Sequence, residues 1–305
     1  MALVTMKEIL EDAGKRSYGV GAFNINNLEF LQAIIEAAEE ENSPVIIAIS
    51  EGAMKYGWVE LLSTMVKTAA MNTKVPVALH LDHGKNFDKI LTAIRYGFTS
   101  IMIDASDKSY EENVKLTKEV VKVAHPLGIT VEAELGRLLG KEDEVESDVA
   151  IYTDPDDAKR FVEETEIDAL AVAVGTSHGA YKFKGEAKLD IERIKKINSL
   201  TGVPLVLHGA SGVPHELVEE AQKYGAVLKG AKGVPNEEIK KAIEAGIRKI
   251  NIDTDLRISF LLGVRKYLSE HPEIFDPRKY LGEGRAQVKE TVKKKMQLFG
   301  SSGKA

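Results

Sequence analysis

Two patterns of apolar residues alternate along this 305-residue chain. Short, nearly continuous runs rich in Val and Ile are each followed by a longer charged stretch. Eight such runs occur: Gly19–Asn24, Val45–Ser50, Val77–His83, Ser100–Ser106, Thr130–Gly136, Ala169–His178, Pro204–Gly209 and Lys249–Thr254. Strands buried on both faces read this way. Each run turns polar at its C-terminal end. Among the charged stretches, Asn27–Glu40 sets Leu28, Leu31, Ile34, Ile35 and Ala38 on one helical face. Asp88–Tyr96, Tyr110–His125, Asp156–Thr165, Asp190–Leu200 and Asn236–Ala245 repeat that spacing. Asp154-Pro155 and Pro235-Asn236 supply helix starts, and Gly97, Gly128 and Gly246 stand where helices should stop.

Strand then helix, eight times over, predicts an α/β chain folded as a (β/α)8 TIM barrel. A doubly wound open sheet is the main rival. It would carry a G-x-G-x-x-G turn after its first strand, and Asn24-Ile25-Asn26-Asn27 is no such turn. Residues 213–235 are an insertion between strands seven and eight, with a helical piece of their own. Residues 256–305 read as a C-terminal helical extension of two or three helices. No linker or second core interrupts the pattern, so residues 1–305 are expected to form a single domain. The tail Ser301–Ala305 is expected to fray.

Composition narrows the possibilities. Hydrophobic residues make up 44% and charged residues 29%, with a net charge of −6 and no cysteine. Disulfides and thiol catalysis are excluded. The mild acidity argues against nonspecific nucleic-acid binding. No run approaches the roughly 18 apolar residues of a membrane span. No signal-peptide pattern opens the chain, since Lys7 and Glu8 lie where an apolar core would be needed. A cytoplasmic location is expected.

Barrels of this type place their active sites at the C-terminal ends of the strands. The polar groups there are Asn24, Ser50, Asp82, His83, Asp104, Glu132, Glu134, His178, His208, Ser211, Asn251, Asp253 and Thr254. With 7 His and 25 Gly, chance predicts fewer than one His-Gly pair. Three occur, at His83-Gly84, His178-Gly179 and His208-Gly209, closing strands three, six and seven. Three imidazoles can hold a zinc ion and leave a fourth position open for substrate. Taken singly, each could simply cap a buried strand; three in register favour a metal. Asp82 could carry a proton or orient a ligand imidazole, and spacing leaves both roles open. Asp104 and Glu134 could form a second metal position or brace the first. Glu132 shares a strand face with Glu134, and His80 reads as a core or supporting residue. The turn Gly209-Ala210-Ser211-Gly212 and the segment Asn251-Ile252-Asp253-Thr254 follow strands seven and eight, where barrels commonly bind phosphate.

With these residues identified, the chain resembles the class II, metal-dependent fructose-1,6-bisphosphate aldolases. GVGAFNINNLE, LHLDHG, SIMIDAS, VEAELGRLLGKEDEV, AVAVGTSHGAY, PLVLHGASGVP, KINIDTDLR and DPRKYL carry the resemblance, which extends over nearly the whole chain. It implies a glycolytic and gluconeogenic lyase acting through a zinc-stabilised ene-diolate. It implies a catalytic Zn²⁺, with Co²⁺ or Fe²⁺ as alternatives, on His83, His178 and His208, and an outer position on Asp104 and Glu134. Asp82 would exchange the proton of the substrate's C4 hydroxyl. Glu142 would exchange the proton on the dihydroxyacetone-phosphate carbon. Gly179, Gly209, Ala210, Ser211, Asn251, Ile252, Asp253 and Thr254 would hold the dihydroxyacetone-phosphate end. Lys182 would lie near that phosphate and an activating Na⁺ or K⁺. Asn24 and Ser50 would touch the other half of the substrate. Arg278 would reach the second phosphate of a neighbouring subunit, implying a homodimer or homotetramer.

One departure from the family pattern is the insertion at 213–235, in which Gly-Val-Pro is repeated at 212–214 and 233–235. It is expected to affect packing and not chemistry. A Schiff-base lysine is the other way to accept the electrons of a cleaved C3–C4 bond, and no lysine lies within the strands' C-terminal rim. A tagatose-1,6-bisphosphate aldolase is the nearest rival, and Asp253 favours fructose. A metal-dependent hydrolase would be expected to begin with a His-x-His pair, and none occurs. A non-catalytic sugar-phosphate binder would need neither Asp82 nor a metal.

Overall fold

The computed structural model describes residues 2–142, 145–147, 150–179, 188–228 and 230–305, with the backbone alone at 141, 142, 145–147 and 178. Eight parallel strands close into a barrel. In chain order they are β1 (Val20–Asn24), β2 (Val45–Ser50), β3 (Val77–Gly84), β4 (Ser100–Ile103), β5 (Thr130–Leu135), β8 (Ala169–Val172), β10 (Leu205–Leu207) and β11 (Ile247–Ile252), and β1 pairs with β11 to complete the ring. Three short strands, β6 (Leu139–Glu142), β7 (Val145–Ser147) and β9 (Ser177–His178), form a separate small sheet beside it.

The helices are α1 (Met6–Arg16), α2 (Leu28–Glu41), α3 (Glu51–Gly57), α4 (Val59–Asn72), α5 (Phe87–Arg95), α6 (Tyr110–Ala124), α7 (Pro155–Thr165), α8 (Ile191–Thr201), α9 (His215–Lys223), α10 (Asn236–Ala245), α11 (Thr254–Glu270) and α12 (Pro277–Phe299). Most begin with a side-chain cap. Asn27, Asn86, Ser109, Asp154 and Asp190 each accept a backbone N–H from the first turn.

Alternate residues of each strand face opposite ways. The outward set, such as Phe23, Ile47, Leu79, Leu81, Ile101, Val131, Leu170 and Ile250, packs against the helices in the main core. The inward set begins apolar: Val20, Ala22, Ile46, Ala78, Met102, Ala169, Ala171 and Val206 pack with Met6, Ile9, Leu10 and Ala13 of α1. That helix closes the N-terminal mouth. A capping box between Thr5 and Glu8 starts it, and Lys7 N–H donates to Thr130 Oγ1 at the foot of β5. Further up, the same inward positions turn polar, giving His80, Glu132 and Lys249, then Asp82, Asp104, Glu134, His208 and Asn251. All are buried.

Several expectations need correction. The run Ala169–His178 is not one strand. It stops at Val172, turns through Gly175 (φ +111°) and resumes as β9, so His178 belongs to the small sheet and not to the end of a barrel strand. Residues 51–72 form two helices that the sequence reading does not assign. The tail does not fray. Ser301 is fully buried against Ser43, and Gly303 and Ala305 donate to the carbonyls of Glu41 and Asn42. Those carbonyls end α2 and lack helical partners of their own.

The described residues of the insertion form α9 and a return loop. Val213, Val218, Ala221 and Ala226 make a small core with Ile258 and Leu262 of α11. That core packs beside the C-terminal extension, while the return limb runs along the turn after β10, where Val234 N–H donates to the Ser211 carbonyl. Among the described residues, no helix is long and apolar enough to cross a membrane.

Candidate active site

Asp82 and His83 are consecutive in β3, so regular pleating would aim them in opposite directions. The backbone breaks that rule. His83 has φ +49°, a left-handed conformation that costs a non-glycine residue on the order of 1–3 kcal/mol, and the β3–β4 register shifts between Leu81 and Gly84. Both side chains therefore join one cluster: Asp82, His83 and His208 offer ligand atoms within 4.8 Å of one another. Gly84 is required by the close approach of β4, since a Cβ there would sit 2.6 Å from the Met102 carbonyl.

Asp82 is buried and accepts two hydrogen bonds, from Asn24 Nδ2 (2.8 Å) and Asn251 Nδ2 (2.9 Å). The rings of His83 and His208 lie 4.5 Å apart at 63°. Each imidazole is braced by a carboxylate. His83 Nδ1 lies 3.0 Å from Asp104 Oδ2, and His208 Nε2 lies 2.8 Å from Glu132 Oε1. A second cluster, His83, Asp104 and Glu134, again within 4.8 Å, shares the His83 ring with the first.

The electrostatics follow from burial and crowding. Burial alone would lower the His83 pKa, but the carboxylates of Asp82, Asp104 and Glu134 outweigh it and raise the imidazole to about 10. Burial, reinforced by the charge of Asp104, pushes Glu134 up to about 8. Asp104 is held well below the usual carboxylate range, since His83 and Lys85 overcome its burial. Burial, with the ammonium of Lys249 beside it, holds His80 well below the ordinary imidazole value.

A divalent cation fits this donor set. Two imidazoles and three carboxylates converge, and the buried oxygens Asn24 Oδ1, Asn251 Oδ1 and Glu134 Oε2 have no hydrogen-bond partner among the described residues. Buried acceptors without donors suit a cation or the hydroxyl groups of a polar ligand.

The other expected residues are distributed as follows. Ser50 is buried next to Asp82 in the strand register, and its hydroxyl caps α3 through Ala53 N–H. Gly209 has φ +61°, and a Cβ there would stand 2.5 Å from the Ser177 carbonyl, so the turn after β10 lies against β9. Ala210 is buried in the main core, and Ser211 Oγ accepts from Asp253 N–H. Ile252 turns its side chain outward into the main core, which leaves only its backbone for the barrel mouth. Asp253 is clasped by Arg257, and Thr254 opens α11. Gly179 has φ +84°. The side chains of His178 and Glu142, and Lys182 altogether, lie outside the described residues. Arg278 is exposed on α12 and paired with Asp276, apart from this cluster.

Two lysines escape the sequence reading. Lys85, just past β3, extends its Nζ to 2.8 Å from Asp104 Oδ2, so the strand rim does contain a lysine, held in an ion pair. Lys249, fully buried inside the barrel, lies 2.8 Å from Glu132 Oε2. Its position two residues before Asn251 puts it on the same inward face, a signal that the strand's period carries.

A family model described as fructose-bisphosphate aldolase class-II matches residues 4–227 and 225–304. The chain belongs to the class II fructose-bisphosphate aldolase family. The two matched segments meet within the 213–235 insertion. The fructose-bisphosphate aldolase of Thermus caldophilus is 56% identical over 305 residues, 99% of this chain and 100% of the relative. That of Geobacillus stearothermophilus is 49% identical over 308 residues, 100% of this chain and 99% of the relative. Among solved structures, the YdjI aldolase of Escherichia coli K12 superposes with a TM-score of 0.83 at 38% identity, covering 99% of both chains. Membership of this family implies a divalent metal and a phosphorylated sugar substrate.

Proposed function

We propose that this chain catalyses the reversible aldol cleavage of fructose 1,6-bisphosphate to dihydroxyacetone phosphate and glyceraldehyde 3-phosphate. The observation that carries the reading is Asp82, buried, held at both oxygens and sharing one cluster with two imidazoles.

His83, His208 and His178 would hold the metal, Zn²⁺ in preference to Co²⁺ or Fe²⁺, and Asp104 with Glu134 would offer the outer position. The bound ion supplies Lewis acidity toward the substrate's carbonyl, which accepts the electron pair of the breaking bond. Asp82 removes the C4 hydroxyl proton as the C3–C4 bond breaks, and returns it in condensation. Glu142 protonates C3 of the departing dihydroxyacetone phosphate. Gly179, Gly209, Ala210, Ser211 and residues 251–254 hold the phosphate of that half, with Lys182 and a monovalent cation, Na⁺ or K⁺, beside it. Asn24 and Ser50 contact the other half. Arg278 serves the second phosphate of a neighbouring chain in a homodimer or homotetramer. The enzyme works in the cytoplasm, as one domain.

A cleavage assay run with metal analysis, before and after chelation, tests this reading. Activity should vanish with the metal and return with Zn²⁺. Undiminished turnover in metal-free protein, or trapping of substrate on the protein by borohydride, overturns it. Comparing turnover on tagatose 1,6-bisphosphate separates the epimers; the proposal expects fructose to be preferred. Ligand binding without any cleavage would point to a sugar-phosphate binder.

A further inference from the structure

Beneath the candidate site, the sealed barrel interior holds a line of charged and polar groups. Ser100 Oγ lies 2.7 Å from His80 Nδ1, and Lys249 Nζ lies 3.2 Å from His80 Nε2. The same Nζ is 2.8 Å from Glu132 Oε2, and the other oxygen of Glu132 is 2.8 Å from His208 Nε2. His80, Glu132 and Lys249 are all 0% exposed. The groups come from β3, β4, β5 and β11, with His208 just past the end of β10.

The chemistry of each group fixes who donates. A lysine ammonium has only protons to give, so it donates to Glu132 and to His80 Nε2. A carboxylate facing an ammonium only accepts, so the proton between Glu132 and His208 belongs to His208 Nε2. Neutral imidazole carries one N–H. With that proton at Nε2, the lone pair of His208 lies on Nδ1, which is 3.2 Å from Asn251 Nδ2, the nitrogen that also donates to Asp82. His83 is held the other way round, since Asp104 engages its Nδ1. Two neighbouring imidazoles are thus braced through opposite ring nitrogens.

We infer that Glu132, charge-compensated by Lys249 within the closed barrel, is the positioning residue that holds the His208 ring with its proton on Nε2 and its Nδ1 lone pair toward Asp82 and His83. This rests on the metal site of the proposed function. The role of Lys249 is to let a carboxylate exist there at all: an isolated buried charge is strongly unfavourable, whereas a hydrogen-bonded pair is tolerated. On the far side His80 Nε2 accepts a second ammonium proton, and the Nδ1–H that this leaves on His80 donates to Ser100 Oγ. Carboxylate–histidine–metal relays of this kind set ring orientation and ligand basicity.

The test is metal affinity, measured by chelator competition on the full chain, together with the ¹⁵N NMR tautomer signature of His208 in metal-free protein. Glu132→Gln alone strands the Lys249 charge and risks unfolding. The double variant Glu132→Gln/Lys249→Met removes both charges at nearly constant volume. The expected result is a folded double variant that binds Zn²⁺ about 10–100-fold more weakly and no longer holds His208 in the single Nε2–H tautomer. A folded double variant with parental Zn²⁺ affinity, or an unchanged tautomer, overturns the positioning role and leaves the proposed function standing. A parent chain that binds no divalent ion overturns both.

Discussion

Asn251 Nδ2 donates to Asp82 Oδ1 at 2.9 Å and so ties the last barrel strand to the third. Asn24 does the same to the other oxygen from the first strand. The carboxylate is thereby held by two carboxamides that cannot take its proton. Asp82→Ala is expected to lower the cleavage rate by about 10²–10⁴-fold, the usual contribution of one positioned acid–base group, while bound metal is retained. Steady-state kinetics alongside metal analysis checks this. A variant with near-native turnover would remove Asp82 from the reaction.

Metal binding should release protons. In the ion-free chain His83 is held up to about 10 and Glu134 up to about 8, against ordinary values of 6.5 and 4.5. A coordinating imidazole must be neutral, so at about pH 7.5 Zn²⁺ should displace the His83 proton. Calorimetry in two buffers of different ionisation enthalpy reads this directly, and identical heats would contradict it. Stability follows the same sign. Both folded pKa values are raised, so the stability these groups contribute is complete below their unfolded values. It is lost as pH rises, through about 8 for Glu134 and about 10 for His83. The melting temperature of the ion-free chain should therefore fall from neutral toward alkaline pH.

Lys295 of α12 lies 2.7 Å from Asp255, and Asp255 accepts N–H bonds from Gly212 (2.9 Å) and Val213 (2.6 Å), at the end of the turn after β10. Asp255 is 0% exposed. Lys295→Met leaves a buried carboxylate without its cation and is expected to destabilise the chain by about 3–5 kcal/mol. Adding Asp255→Asn should recover part of that loss. Urea unfolding of the two variants measures both. If the turn holds phosphate, KM should rise more than kcat falls.

Removing residues 301–305 deletes the bonds of Ser301 to Ser43, Gly303 to Glu41 and Ala305 to Asn42. At about 1 kcal/mol for each of these three, and less for the more exposed bonds of Ser302, Lys304 and the Ala305 carbonyl lost with them, the loss is at least about 3 kcal/mol. A thermal melt of the truncated chain should show it as a drop of roughly 5 °C, taking an unfolding entropy of about 2.1 cal/mol/K per residue. An unchanged melt would mean that the tail contributes nothing.

Much of this was legible in the sequence, because strands buried on both faces leave continuous apolar runs and their polar ends mark the barrel mouth. Asp82, His83, Asp104, Glu134, His208 and Asn251 were visible for that reason. Glu132 and His80 were also visible as polar breaks in their strands, but Lys249 was not, since it opens its run and outward-facing Ile250 beside it reads as ordinary strand. The run to His178 looked unbroken because Val174 is as apolar as the strand before it, although Gly175 turns the chain. The helices over 51–72 are interrupted at Trp58, which has φ +58°, so no single helical stripe runs through them. The tail's Ser-Gly-Lys composition says nothing of the open carbonyls waiting at the end of α2.

The kink at His83 also bears on how portable this chemistry is. A ribbon with faithful alternation can show a visitor either the acid or the imidazole of an Asp-His dipeptide, never both. Grafting the dipeptide onto another scaffold would therefore transfer only half of the pair. The reversed peptide at His83, and a neighbour at position 84 small enough for the adjoining ribbon to close in, would have to travel with it.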